Sequence, residues 1–168
     1  MKNKLGVIVI GASPRPDCVE LFGSCLCEGD EVIVKGALDG LDAGELERIK
    51  QDRSGEILVA LDRSLSPISV PEKLVKERIP LKIKEMEEEG VTMITVNCSG
   101  QFGRMDSSVP LIMPGAILEH TVMALADGKK IGVLVPDPDQ IERTREQYLR
   151  LNTMPVVFPG PYHDILGR

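Results

Sequence analysis

The sequence predicts an α/β protein built on an open parallel sheet. Short apolar runs rich in β-branched residues alternate along the chain with longer segments whose apolar residues recur at helical spacing. The runs are nearly continuous in apolar residues, which is typical of strands buried on both faces of a parallel sheet. Strands separated by helices pair in parallel through right-handed crossovers, and this alternation therefore predicts the open sheet.

The first part of the chain is predicted to hold a turn, two helices and three strands. A turn at residues 11–17 follows the first strand, and a helix is expected to begin between Pro14 and Asp17. The segment Asp42–Arg53 is predicted to be helical, because its apolar residues recur at helical spacing and Asp42 can cap the first turn. The predicted strands are Lys4–Ile10, Glu31–Lys35 and Glu56–Leu61.

The rest of the chain continues the same alternation. Ser69–Glu89 is predicted as a long helix with Ser69 as its cap, and Gly90 is expected to end it. A glycine-rich loop at 98–103 follows the next strand, and a further helix is expected after Arg104. The remaining predicted elements are strands at Val91–Asn97, Lys130–Pro136 and Met154–Phe158, and helices at Pro114–Ala126 and Asp137–Leu151.

Composition excludes several classes of protein. The formal net charge of -6 and the aromatic content of 3%, with no Trp, argue against a nucleic-acid binder, which needs a basic surface and stacking side chains. No apolar run approaches the roughly 20 residues that a membrane helix needs. The four cysteines stand in a chain without a secretory signal, so we expect reduced thiols and a cytoplasmic location.

The loops that follow strands are the expected places for chemistry, because ligands of open α/β sheets bind beyond the carboxyl ends of the strands. These loops are 11–17, 62–69, 98–106 and 136–139. Cys98 ends a buried strand, and a thiolate beside a loop that binds a carboxylate can remove a proton from the adjacent carbon. The alternative is that Cys98 is a small buried core residue.

The loop at 11–17 is the second candidate site. Ser13 offers a hydroxyl group and Arg15 a guanidinium group, but the loop matches neither a phosphate loop nor a dinucleotide fingerprint. The alternative is a proline-rich turn with Asp17 as a helix cap. Cys25 and Cys27 have no matching pair of ligands elsewhere, so we predict no metal site.

Several segments of the sequence resemble segments of AroM family proteins. These segments are Ile10–Asp17, Gly36–Leu41, Val91–Gly100, Lys130–Pro136, Pro155–Phe158 and the pair His163–Asp164. They span nearly the whole chain in the same order as in that family. AroM proteins in turn resemble the aspartate/glutamate racemase superfamily, whose active site lies between two similar α/β lobes.

The resemblance implies a domain division and a set of site residues. The first lobe would cover residues 1–113 and a partial second lobe residues 114–168. Cys98 matches the first of the two catalytic cysteines of that superfamily. Its enzymes work without a cofactor, so none is expected here. Ser99 and Gly100 match the residues that hold the substrate carboxylate, and Ser13 matches a loop that lines the same site. With Arg15 of that loop and Asn97 beside Cys98, they form the predicted substrate-binding set.

Two departures from the superfamily shape the functional hypothesis. Ser-Gly follows Cys98 where amino-acid racemases have Asn-Thr, and no cysteine follows Cys98 to serve as the second base. The resemblance implies about two more strand–helix units after Arg168, so we expect either a fragment or a shortened member with a truncated second lobe. Unpaired strand edges in a shortened chain would favour a homo-oligomer. The first hypothesis is a small-carboxylate site in which Cys98 acts as the base of an isomerase or lyase. The alternative is a non-catalytic protein that binds or senses a small organic acid.

Overall fold

A computed structural model describes residues 2–160 of the chain. The chain divides into two compact units, Met1–Gly115 and Ala116–Arg168, and each is described by itself. The predicted mixed α/β fold is confirmed, because parallel strands alternate with helices in both units. No helix among residues 2–160 is both long enough and apolar enough to cross a membrane.

The first unit contains a parallel sheet in the order β2-β1-β5-β6. Its central strands are nearly continuous in apolar residues, as both-face burial requires. The elements that begin in this unit are β1 (Lys4–Val9), α1 (Pro16–Gly23), β2 (Glu31–Gly36), α2 (Ala43–Gln51), β3 (Ile57–Leu61), β4 (Pro67–Pro71), α3 (Glu72–Glu88), β5 (Met93–Val96), β6 (Leu111–Ile112) and α4 (Pro114–Leu125).

Helices cover the two faces of this sheet. On one face Val7 and Val9 of β1 pack with Cys18 of α1. On the other face a larger core joins Ile8 of β1 and Ile94 of β5 to the buried residues of α3 and of the β3–β4 hairpin. Helix α2 begins with the capping box that the sequence predicts, in which Asp42 and Glu45 each bind the backbone of the other.

The segment predicted as the start of a long helix at Ser69 is instead a strand. Strands β3 and β4 form an antiparallel hairpin separate from the main sheet, and α3 begins only at Glu72. The prediction was wrong because Val70 precedes Pro71, and a residue before proline is pushed from helical into extended backbone. The hairpin also makes residues 62–66 a turn, in which the Asp62 carboxylate accepts hydrogen bonds from Ser64 and Ser66.

The helix expected after Arg104 is absent, and residues 101–110 form an irregular loop. The Glu87 carboxylate of α3 accepts hydrogen bonds from the Ser107 hydroxyl group at 2.9 Å and the Ser108 amide at 2.5 Å. Gly103 adopts a left-handed φ of 74°. The loop therefore takes its conformation from α3 and from a glycine turn, whereas the pattern of the sequence alone suggested a helix.

The second unit contains a parallel pair of strands and an amphipathic helix. Its elements beyond α4 are β7 (Lys130–Val135), a short 3₁₀ helix (Pro138–Gln140), α5 (Ile141–Leu149) and β8 (Met154–Pro159). Gly128, with a φ of 65°, lies between α4 and β7. The predicted strands and helices of this region are confirmed, except that the first turn of the last helix is 3₁₀.

Candidate functional site

The main sheet has its topological switch point between β1 and β5. The chain leaves β1 for β2 on one side, while β5 lies on the other side of β1. Loops that follow such neighbouring strands open a crevice at the carboxyl edge of the sheet, where ligands of α/β proteins bind. Two loops predicted from the sequence, 11–17 and 98–106, follow these strands.

Close backbone packing holds the loop after β1. A Cβ atom at Gly11 would lie 2.0 Å from the Leu61 carbonyl oxygen, and one at Gly36 would lie 2.5 Å from the Gly11 carbonyl oxygen. The Ala12 amide donates a hydrogen bond to the same Leu61 oxygen at 3.0 Å. Glycines are required at these two positions because three backbone segments meet there.

Asp39 organises the same loop, and the residue-by-residue reading of the sequence missed it. Its carboxylate accepts hydrogen bonds from the Ser13 amide at 2.8 Å, the Ser13 hydroxyl group at 2.6 Å and the Gly36 amide at 2.6 Å. The Arg78 guanidinium of α3 donates to the carbonyl groups of Ala37 and Asp39. The signal was present only in the Gly36–Leu41 segment, which carried the family resemblance.

Arg15 is nearly buried, and its guanidinium is engaged within its own loop. Its Nε and Nη2 atoms donate to the two carboxylate oxygens of Asp17 at 2.8 and 2.6 Å, and the residue is 9% exposed. The Arg15 hydrogen bond is the main reason why the pKa of Asp17 lies below its ordinary value. Asp17 therefore pairs with Arg15 and does not cap α1.

Replacing Asp17 by asparagine tests this pair through its pH dependence. A depressed carboxyl pKa stabilises the fold above the pKa of the unfolded chain, and this contribution is lost as pH falls through the folded value. We expect the native protein to be more stable than Asp17→Asn at pH 7, with the difference shrinking below about pH 4. Urea unfolding of both proteins between pH 7 and pH 3 measures the difference in their unfolding free energies. A difference that grows on acidification would contradict the Arg15–Asp17 pair.

Asn97 and Cys98 are adjacent in sequence, but their side chains lie on opposite faces of the sheet. The Asn97 Nδ2 atom contacts the Cys18 sulfur of α1 at 3.5 Å, while Cys98 packs against the core on the other face. Cys18 is 2% exposed, and burial raises the pKa of its thiol. The Asn97–Cys18 contact ties the loop after β5 to the helix that follows β1.

The Cys98 side chain lies in a tight turn at the end of β5. The Cys98 amide donates to the Val96 carbonyl at 2.7 Å, and the Gly100 amide donates to the Cys98 sulfur at 3.3 Å. A Cβ atom at Gly100 would lie 2.8 Å from the Phe102 ring, so a side chain there would force the ring to move. Cys98 itself is half-buried.

The first turn of α4 begins against this loop. A Cβ atom at Gly115 would lie 2.7 Å from the carbonyl oxygens of both Ser99 and Gly100. The Gln101 side-chain amide donates to the Gly115 carbonyl at 3.4 Å. The helix expected beside Cys98 is therefore replaced by the first residues of a helix that starts ten residues further along.

The contacts divide the sequence-predicted site residues into four groups. Ser13 is bound to Asp39, Arg15 is bound to Asp17, and Asn97 contacts Cys18. The sequence-predicted residues Cys98, Ser99 and Gly100 share the turn after β5. Across residues 2–160, no three His, Cys, Asp or Glu side chains are grouped so that they could hold a metal ion.

These features define an α/β protein with two ordered loops at the switch point of a parallel sheet. The family model described as AroM protein matches residues 5–165, and the chain therefore belongs to the AroM family. This confirms the resemblance drawn from the ordered segments. His163 and Asp164, the last residues of that comparison, lie outside the described residues. A search of the curated proteins gave no significant match.

Proposed function

We propose that this AroM family protein binds a small organic acid at the turn formed by Cys98, Ser99 and Gly100, and that Cys98 exchanges a proton with the carbon next to the carboxylate. The observation that carries the proposal is the Gly100 amide directed at the Cys98 sulfur, at the switch point of the sheet. An N–H group in that position stabilises negative charge on the sulfur, which a thiol needs in order to act as a base.

The turn also has the groups that a carboxylate needs. Ser99 supplies a hydroxyl group, and backbone amides in a glycine-containing turn can converge on an anion. Gly115 in the first turn of α4 packs on this turn, and the start of a helix favours a bound anion. The likeness of AroM proteins to the aspartate/glutamate racemase superfamily, where the matching residues bind the substrate carboxylate, supports the same assignment.

The positions of the cysteines favour one-sided proton transfer over racemisation. Inversion of a carbon centre requires an acid and a base on opposite sides of the substrate. Cys18 belongs to the α1 face of the sheet and is buried, so it cannot share a substrate with Cys98. Proton exchange, decarboxylation or addition to a double bond needs only the one thiol, and we assign the isomerase or lyase class on that ground.

The other sequence-predicted residues receive supporting roles in this proposal. Asn97 connects the Cys98 turn to α1 through Cys18. Ser13 donates hydrogen bonds to Asp39, and Arg15 donates hydrogen bonds to Asp17. These two residues therefore shape the neighbouring loop and are weaker candidates for binding the substrate carboxylate.

Self-association and a cytoplasmic location belong to the same proposal. Among residues 2–160, no strand pairs with the outer edge of β2, and an open edge is a site for pairing with another chain. No disulfide joins the four cysteines, all of which lie in the described part of the chain, and this fits a reducing compartment.

Proton exchange in heavy water tests the function. The protein is incubated with amino acids, hydroxy acids and aromatic malonates, and loss of the α-proton signal is followed by NMR. We expect at least one acid to exchange, and the Cys98→Ser variant to lose the exchange by about a hundredfold or more, as for removal of a catalytic base.

Cys25→Ser is the matched control, because it alters an exposed cysteine that lies just beyond the end of α1. It should leave the exchange rate within about twofold of the native protein, since it touches no group of the proposed reaction. If Cys98→Ser binds an acid normally and the native protein exchanges none, the protein binds or senses organic acids without catalysis. Exchange that survives in Cys98→Ser would reject the base assigned here.

A further inference from the structure

A cavity of about 590 Å³ lies between the loop after β1, helix α1 and strand β2. This volume is within the range of small-molecule sites in proteins. The lining residues are Ser13, Pro14, Arg15, Pro16, Val19, Glu20 and Val34, and Cys98 is not among them. Val34 and α1 belong to the sheet face opposite Cys98, so the cavity is separate from the turn at Cys98.

Apart from Arg15, the walls of this cavity offer few hydrogen-bond donors to a ligand. Pro14 and Pro16 have no N–H group, and the Val19 amide already donates to the Arg15 carbonyl. The Ser13 amide and hydroxyl group both donate to Asp39, so the Ser13 hydroxyl oxygen is left to act as an acceptor.

The charges around the cavity favour a cation. The Arg15 guanidinium is neutralised by the two oxygens of Asp17, and an incoming anion would have to compete with that carboxylate. Glu20 is an exposed carboxylate on the same wall, and within residues 2–160 no cation or side-chain donor contacts it. The uncompensated charge at the cavity is therefore negative.

We propose that this cavity is a binding site for a small amine with an apolar or aromatic body. The ammonium group binds the Glu20 carboxylate and donates to the Ser13 oxygen, while the apolar body packs against Pro14, Pro16 and Val34. Such a ligand matches the acceptors and the apolar side chains on the walls: Glu20 and Ser13 meet its N–H donors, and Pro14, Pro16 and Val34 meet its ring.

A titration with three probes of similar size tests the charge and the place of binding. The probes are 2-phenylethylamine, 2-phenylethanol and phenylacetate at pH 7, and the readout is the shift of the Val19, Glu20 and Val34 amide signals in ¹H–¹⁵N NMR. We expect the amine to bind about tenfold more tightly than the alcohol, as for one charge-assisted hydrogen bond, and the acid to bind most weakly.

Four variants test whether the amine binds in this cavity and through Glu20. Glu20→Gln should weaken binding of the amine about tenfold and leave the affinity for the alcohol unchanged. Glu28→Gln removes a charge from the exposed turn after α1 and should change neither affinity. Val19→Trp should weaken the binding of all three probes, because the larger side chain fills the cavity. Cys98→Ser should have no effect, so the two proposals fail independently. Equal affinity for the three probes, tighter binding of the acid, no shifts at these amides, or an unchanged amine affinity in Glu20→Gln would each overturn the proposal.

Discussion

Replacing Gly11 by alanine is expected to destabilise the first unit by about 3 kcal/mol or more, at the upper end of the cost of overpacking a well-packed site. The new Cβ atom would lie 2.0 Å from the Leu61 carbonyl oxygen and 2.9 Å from the Leu61 nitrogen. Both atoms belong to the backbone of β3, so a side-chain rotation cannot relieve the clash. Urea unfolding followed by circular dichroism measures the change in free energy.

Gly23→Ala is the matched control for this substitution. Apart from its chain neighbours and the backbone of α1, no heavy atom lies within 4 Å of a Cβ atom at Gly23, the last residue of α1. Alanine is a better helix former than glycine, so the control should be neutral or slightly stabilising. Equal unfolding free energies for Gly11→Ala and the native protein would show that β3 does not pack against this loop as described.

The second large loss of stability is expected for Asp39→Ala. The substitution leaves two amide donors and one hydroxyl donor, from Gly36 and Ser13, without their acceptor. Hydrogen bonds to a charged group contribute more to stability than neutral ones. Water partly replaces the lost carboxylate, and we expect the unfolding free energy to fall by about 3 kcal/mol. The amide signals of Ser13 and Gly36 in ¹H–¹⁵N NMR should shift at the same time.

Two further variants give this prediction its controls. Asp106→Ala removes an exposed carboxylate from the irregular loop and should change stability by less than about 0.5 kcal/mol. Asp39→Asn keeps one acceptor oxygen and should fall between the native protein and Asp39→Ala. An Asp39→Ala protein as stable as Asp106→Ala would mean that the Ser13 loop is held by other contacts.

Local sequence patterns were reliable where one physical requirement dominated. The strands β1 and β5 were found because burial on both faces demands consecutive apolar side chains. Helix α2 was found because its cap and its apolar spacing agree with each other, and the structure contains the expected capping box. The family was found from the order of its segments, since no single segment identifies it.

The errors arose where a neighbouring proline or a contact distant in sequence decided the local conformation. Ser69 has the chemistry of a helix cap, but the prolines around it and pairing with β3 make it part of a strand. Residues 101–110 contain no strong helix breaker except glycine and proline near their ends, yet Glu87 of α3 binds Ser107 and Ser108 and holds them in a loop.

The sequence by itself determined the α/β class, the main helices and strands, the family, and the position of Cys98 at the end of a buried strand. These depend on the spacing of apolar and turn residues, which neighbours along the chain can specify. Tertiary structure decided that Asp39 holds Ser13, that Asp17 neutralises Arg15, and that Asn97 turns away from Cys98 toward α1. These contacts depend on strand register and on which face a side chain occupies, and both are set only when the strands pair.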